Sequence, residues 1–364
     1  MIKVTLTNDI LKAISAVDEN RFLLKNTILP KITENRLRKN SKKKSSYASN
    51  KIEGNPLSEE QANKAMESDG HKHFLKPEQE VRNYFLALNL LEGKLKKREP
   101  FSKDLILEVQ AVVEKGASKE KIGLRGEMPP GVLFAVYDSQ TGKPDYIPPE
   151  YCDIDPLLDE LVDYVNTTDD HPLIVSAVVH YQLVTIHPFE DGNGRTARLM
   201  SGYILDLNGY GFNGIGSLEE YFAYDPDEYY SSLQMGLPAL YYSGRENPPH
   251  PEIWINYFLR MVGLYSEKVR EISQKSAEDT LSGSLSFLNV KEKELLIYLL
   301  KNNITQFTPI ELSKQLSVTN KTIINRCAAL VSNGFLIPNI VNERIRSYTL
   351  SEFAKENKKK IISL

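Results

Sequence analysis

Residues 187–198 read His-Pro-Phe-Glu-Asp-Gly-Asn-Gly-Arg-Thr-Ala-Arg, a polar dozen set between two apolar runs. Leu173–Ile186 ahead of it is apolar at most positions, the pattern of a buried helix. Thr196–Leu207 resumes helical spacing, so the dozen forms a loop that opens a second helix through Gly192-Asn193-Gly194. A helix start carries unpaired N–H groups and the positive dipole end, which together favour phosphate. Arg195 and Arg198, three apart, share a face of the first turns and can fork onto phosphate oxygens. His187 ordinarily titrates near neutrality and suits removal of a hydroxyl proton. A carboxylate in the same stretch suits Mg2+, which prefers oxygen ligands and sits beside phosphate oxygens. A lone histidine before a proline is more often a half-buried helix end than a base. Its company here reverses that balance, and the stretch implies a nucleotide site.

The dozen resembles the core motif of the Fic family, His-Pro-Phe-x-(Asp/Glu)-Gly-Asn-Gly-Arg-x-x-Arg, and matches it at every specified position. The resemblance implies a mainly α fold: a Fic-type helical core with a small β-hairpin flap. It also implies transfer of AMP from ATP, the co-substrate, to a Ser, Thr or Tyr hydroxyl of a target protein. Taken by position, it makes His187 the general base and Phe189 the inward anchor of the loop. Asp191 becomes the holder of Mg2+ between the α- and β-phosphates. Gly192, Asn193 and Gly194 become the anion hole, with the Asn193 side chain on the α-phosphate. Arg195 and Arg198 take the outer phosphates, Arg198 meeting the γ-phosphate. Relatives that transfer phosphate carry Lys at the place of Gly194; the intact glycine favours AMP transfer.

Upstream, Ser49-Asn50-Lys51-Ile52-Glu53-Gly54 fits the family's inhibitory motif (Ser/Thr)-x-x-x-Glu-(Gly/Asn) in its N-terminal placement. Ser49 and Glu53 share a helix face at i,i+4, and Gly54-Asn55-Pro56 stops the helix. The resemblance implies that Glu53 pairs with Arg198 and displaces the γ-phosphate. Residues 131–148 read as two β-prone runs around the turn-rich 138–144, and resemble the flap that aligns a target segment by strand addition. Asp225-Pro226 marks a helix start, and Tyr229 or Tyr230 beyond it could stack on adenine, although tyrosines at helical spacing more often belong to a core.

The remaining chain divides into a helical region 1–95 holding the inhibitory motif, a core 96–245, a connecting helix and linker 246–285 with Ser282-Gly283-Ser284 as the linker, and a module 286–364. That module reads as helix, capped helix, turn, third helix and a two-strand wing, which resembles a winged helix-turn-helix. On its third helix Asn320, Lys321, Thr322, Asn325 and Arg326 would face a DNA groove. Only two of these are basic, so a protein partner is an equal expectation. The net charge of −3 gives no global pull toward nucleic acid. Cys152 and Cys327 are too few and too distant for a disulfide framework or metal site. No long apolar span or signal-like start is read, so the expectation is a cytoplasmic protein without a membrane partner, and a homodimer is left open. Two alternatives accompany AMP transfer: a DNA-binding regulator using the Fic-like domain as a nucleotide sensor, and removal of AMP by the same site.

Overall fold

The computed structural model describes the chain apart from residues 26, 28, 30, 69–72, 118–121, 138–141, 143, 236, 238–239, 242–246, 342–343 and 364. It resolves into two units: Met1–Phe22 with Leu37–Val269, and Leu23–Arg36 with Arg270–Leu364. Helices α1 (Asn8–Lys25) and α2 (Lys31–Ile52) contribute to both.

In the first unit, α3 (Glu59–Glu67) starts on a capping box between Ser58 and Gln61, and α4 (Lys76–Lys96) opens with a proline in its first turn. Ser58, like Ser102 ahead of α5 (Lys103–Glu114), satisfies an otherwise orphaned N–H of its helix start. Strands β1 (Val136–Tyr137) and β2 (Pro144–Ile147) follow, then α6 (Tyr151–Thr167), α7 (Pro172–Ile186), α8 (Asn193–Leu207), α9 (Glu219–Tyr224), α10 (Pro226–Gln234) and β3 (Leu240–Tyr241). Helix α7 is the centre of the unit, buried from Leu173 to Ile186 apart from Val184, as its mostly apolar sequence requires. Around it, Tyr84, Phe101, Ile106, Val109, Leu158, Leu161, Met200 and Tyr203 form one core with Val179, Leu183 and Phe189. Burying Phe189 alone is worth about 1.5–3 kcal/mol, and it pins the polar loop to that core.

The hairpin is shorter than the expected 131–148, with Val136 opposite Tyr146. Its expected tip, 138–141 and 143, lies outside the described residues. Strand β3 adds in parallel on the other side of β2, so the sheet order is β1-β2-β3. Two residues carry no readable period, which is why β3 escaped the sequence.

Helix α11 (Pro251–Ser286) runs without a break through Ser282-Gly283-Ser284. The expected linker is therefore helical. A glycine in a helix costs about 1 kcal/mol relative to alanine, and the apolar Leu281 and Leu285 beside it offset that by entering the second core. The second unit then orders α12 (Val290–Lys301), β4 (Gln306–Phe307), α13 (Pro309–Gln315), α14 (Asn320–Ser332), β5 (Leu336–Val341), β6 (Arg344–Leu350), α15 (Glu352–Glu356) and α16 (Lys358–Ile362). Asn289 and Thr308 close capping boxes with Glu292 and Glu311. The strands pair antiparallel in the order β4-β6-β5 over Leu296, Leu299, Phe307, Ile323, Cys327, Phe335 and Tyr348. On α14, Asn320, Lys321 and Asn325 face solvent, while Thr322 and Arg326 are half-buried. Cys152 and Cys327 are free thiols. Among the described residues no helix is long and apolar enough to cross a membrane.

Candidate active site

Helix α7 ends at His187, whose backbone is left-handed (φ 49°, ψ 58°). That conformation is uncommon for a residue with a side chain, and Pro188 cannot continue the helix. Leu124 bridges to Phe189 and the Arg125 N–H donates to the Pro188 carbonyl at 2.9 Å, so the loop is held on its outer side as well as by its phenylalanine. The His187 ring packs 6.0 Å from Phe134, centroid to centroid. Its Nδ1 lies 3.3 Å from the Val184 carbonyl oxygen, which can only accept. Nδ1 therefore carries the proton and Nε2 is left as the basic nitrogen. Burial pushes the imidazole down to about 4, with nearby Arg125 adding to the effect, so it is neutral at physiological pH.

The loop turns through Gly192, left-handed at φ 82°, where a Cβ would stand 2.6 Å from Glu114 Oε1. Both backbone and space require glycine there. Helix α8 opens at Asn193, so its first N–H groups have no partner within the helix. The Asn193 side chain is committed to the loop itself: Oδ1 accepts from Phe189 N at 3.0 Å and Nδ2 donates to Phe189 O at 2.8 Å. These bonds engage Oδ1 and one of the two Nδ2 hydrogens, and they fix the side chain against the loop.

Asp191 Oδ1 accepts from Gly192 N at 2.8 Å and from Arg195 Nη2 at 3.2 Å. Lys76 Nζ stands 4.0 Å from its other oxygen. Arg195 is enclosed among carboxylates, with Glu114 2.9 Å and Glu80 3.9 Å away. Glu114 is fully buried, and neither oxygen finds an aligned hydrogen bond despite the short distance to Arg195. Burial raises its carboxyl to about 7, against the opposing pull of Arg195. Gln110, one turn earlier on the same helix, accepts from Gly123 N and donates to the Asp191 carbonyl. Neither was foreseen. The available signal was two polar residues, Gln110 and Glu114, in phase with the apolar Ile106 of an otherwise buried stripe.

Arg198 brings the distant motif in. Its Nε donates to Ser49 Oγ at 2.8 Å, and Nη2 donates to Ser49 O at 3.1 Å and to Glu53 Oε1 at 2.6 Å. Helix α2 stops at Ile52; Glu53 follows in a turn closed by Gly54 at φ 79°. The Glu53 side chain remains about a third exposed (35%), while that of Arg198 is 1% exposed. Glu53 Oε1 stands so close to Gly194 that a Cβ there would collide with it, and would also lie 3.2 Å from Arg198 Nη1. A carboxylate thus lies against the second glycine of the helix start.

Tyr229 is 1% exposed, enclosed by Phe222, Tyr257 and Trp254, with its hydroxyl on Arg198 Nη1 and His180 Nε2. An adenine cannot reach that ring without opening the core, which corrects the expected stacking role. Tyr230 is 44% exposed and its hydroxyl donates to the Ile52 carbonyl, so its ring remains accessible.

Residues 100–205 match the Fic/DOC family. That segment carries helices α5, α6 and α7 and the loop from His187 onward. The protein adenylyltransferase Fic of Nematostella vectensis is 42% identical over 69 residues, covering 18% of this chain and 16% of that protein. The protein adenylyltransferase fic-1 of Caenorhabditis briggsae is 32% identical over 171 residues, covering 44% of this chain and 31% of that protein. The chain thus spans less than a third of the length of these two relatives. Among solved structures, Fic-1 from Caenorhabditis elegans is 25% identical with a TM-score of 0.56, over 74% of this chain and 73% of that one. A Fic family protein from Desulfovibrio desulfuricans G20 shares the fold over 97% of this chain and 98% of its own, at 21% identity and a TM-score of 0.56.

Proposed function

We propose that this chain transfers AMP from ATP to a Ser, Thr or Tyr hydroxyl of a target protein, and of itself, and that Glu53 restrains the transfer. The observation that carries the reading is the His187 ring: Nδ1 is tied to Val184 O, so Nε2 is left as a base beside a phosphate-favouring helix start. In the reaction the target oxygen attacks the α-phosphorus, the bond from that phosphorus to the bridging oxygen of the β-phosphate breaks, and pyrophosphate leaves. The hydroxyl proton passes to His187 Nε2. The helix α8 N–H groups stabilise charge on the phosphate being transferred, and Arg195 and Arg198 orient the outer phosphates.

Asp191 is partly accessible (29% exposed), and no cluster of three or more metal-binding side chains occurs among the described residues. A single carboxylate fits Mg2+ carried in on phosphate oxygens. Asp191 would hold the ion, which supplies neutralisation of phosphate charge. Strand β1 is the edge of its sheet, so an extended target segment can add beside Val136–Tyr137, with exposed Val132, Leu133 and Tyr137 nearby. Glu53 restrains the site because its carboxylate takes the Arg198 donor that the γ-phosphate would use. Incubating the full chain with α-labelled ATP and Mg2+, alone and with lysate, tests the reading. Label retained on protein by the parent or by Glu53→Gly, and lost with His187→Ala, is the expected result. Absence of label from both the parent and Glu53→Gly refutes AMP transfer.

A further inference from the structure

The Arg198 guanidinium makes four hydrogen bonds among the described residues, and three of them belong to the inhibitory segment: Ser49 Oγ, Ser49 O and Glu53 Oε1. If that segment withdraws to admit ATP, those contacts go with it. The fourth partner is Tyr229, which comes from α10 and is independent of α2. Its hydroxyl lies 3.3 Å from Arg198 Nη1 and 3.0 Å from Nε2 of His180 on α7. His180 is fully buried, with Trp254 4.8 Å from its ring and Phe222 and Phe258 around it. Such burial holds the imidazole well below its usual pKa, and it is therefore neutral. A neutral imidazole can offer a lone pair at Nε2. Tyr229 can then donate its one proton to His180, which leaves its oxygen lone pairs for the Arg198 guanidinium.

We propose that Tyr229, oriented by His180, is a positioning residue that keeps Arg198 aimed at the outermost phosphate of ATP after the inhibitory segment has moved. The role presupposes the AMP transfer proposed above. An arginine without such a partner carries many rotamers, and each must be frozen when the phosphate binds. Tyr229 fixes the guanidinium beforehand through Nη1, which leaves Nη2, the nitrogen that Glu53 takes, for the phosphate. A fully buried histidine on a helix that is otherwise a packing element also gains a reason to be there: phenylalanine would fill the space, but would offer the hydroxyl no acceptor.

The test uses the full chain in the Glu53→Gly background, with Tyr229→Phe and His180→Phe added separately; both keep a ring in the core. Binding of ATP and of ADP, each with Mg2+, is measured by calorimetry alongside the KM and kcat for AMP transfer. Tyr229→Phe is expected to weaken ATP by about tenfold or more, the range for a hydrogen bond to a charged group, while ADP changes by less than threefold. His180→Phe should move the ATP-to-ADP ratio in the same direction and by less. Equal weakening of both nucleotides makes Tyr229 a packing residue and overturns the proposal, as does an unchanged ratio. If Glu53→Gly transfers no AMP, the functional reading falls, and the binding ratio still decides the role of Tyr229.

Discussion

Replacing Glu53 by glycine removes one partner of a buried arginine, and the structure sets the size of the effect. Removing one member of a fully buried pair costs about 3–5 kcal/mol. Here the Glu53 side chain is 35% exposed, so solvent already screens the pair. Arg198 also keeps Ser49 Oγ, Ser49 O and the Tyr229 hydroxyl. The expected loss is therefore nearer about 1–2 kcal/mol, or about 2–8 °C in Tm for a unit of this size. Glu53→Ala shares the electrostatic change without the added backbone freedom of glycine, and separates the two contributions. Nucleotide should reverse the loss, because the γ-phosphate becomes the missing partner. At an ATP concentration 100 times its Kd, binding stabilises by about 2.7 kcal/mol; if Glu53 weakens binding tenfold, the parent gains about 1.4 kcal/mol at that concentration. Thermal unfolding with and without ATP and Mg2+ reads the difference, and labelled ATP reads the accompanying rise in transfer. Adding Arg198→Ala should cancel both gains. An ATP-induced shift in Glu53→Gly no larger than in the parent, with transfer unchanged, would refute competition between carboxylate and phosphate.

Four further outcomes are expected. His187→Ala should lower transfer by about 10²–10⁴-fold with ATP binding retained; because burial holds the ring at about 4, the parent's acid limb should lie below about pH 5.5 rather than near 6.5. Asp191→Ala should lose Mg2+-dependent transfer, and activity unchanged across a titration of the metal at fixed ATP would remove Asp191 from the site. Glu114 has a folded pKa of about 7, above its ordinary value, so its contribution to stability is full below about pH 4.5 and declines as pH rises toward 7; Glu114→Gln should flatten that part of the Tm–pH curve. Deleting residues 286–364 should expose Leu281 and Leu285, which the second core buries, and the shortened chain should aggregate more than one ending at Val269, as light scattering would report.

What was legible in the sequence was local. The motif from His187 to Arg198 is contiguous, its chemistry is spelled by residue types in order, and the helix before it announces itself by a mostly apolar run. The capped starts of α10 and α13 were equally plain, because a cap is a matter of three or four neighbouring residues. The Glu53–Arg198 contact spans 145 residues and was reached through resemblance; nothing in either segment alone names its partner. Tyr229 was misassigned for a related reason. A tyrosine beside a nucleotide motif reads as a stacking platform, and only the packing of Phe222, Trp254 and Tyr257 around it shows that its ring is closed off, with its hydroxyl on Arg198 and His180. The Ser-Gly-Ser segment failed in the opposite direction. Its composition favours a linker, yet Leu281 and Leu285 flank it one turn apart, and burying two leucines outweighs the helix penalty of one glycine. Local propensity gives way where the competing contribution is long-range burial. The same competition explains Gln110 and Glu114, polar residues that an apolar stripe carries inward, where Gln110 donates to the Asp191 carbonyl and Glu114 stands 2.9 Å from Arg195.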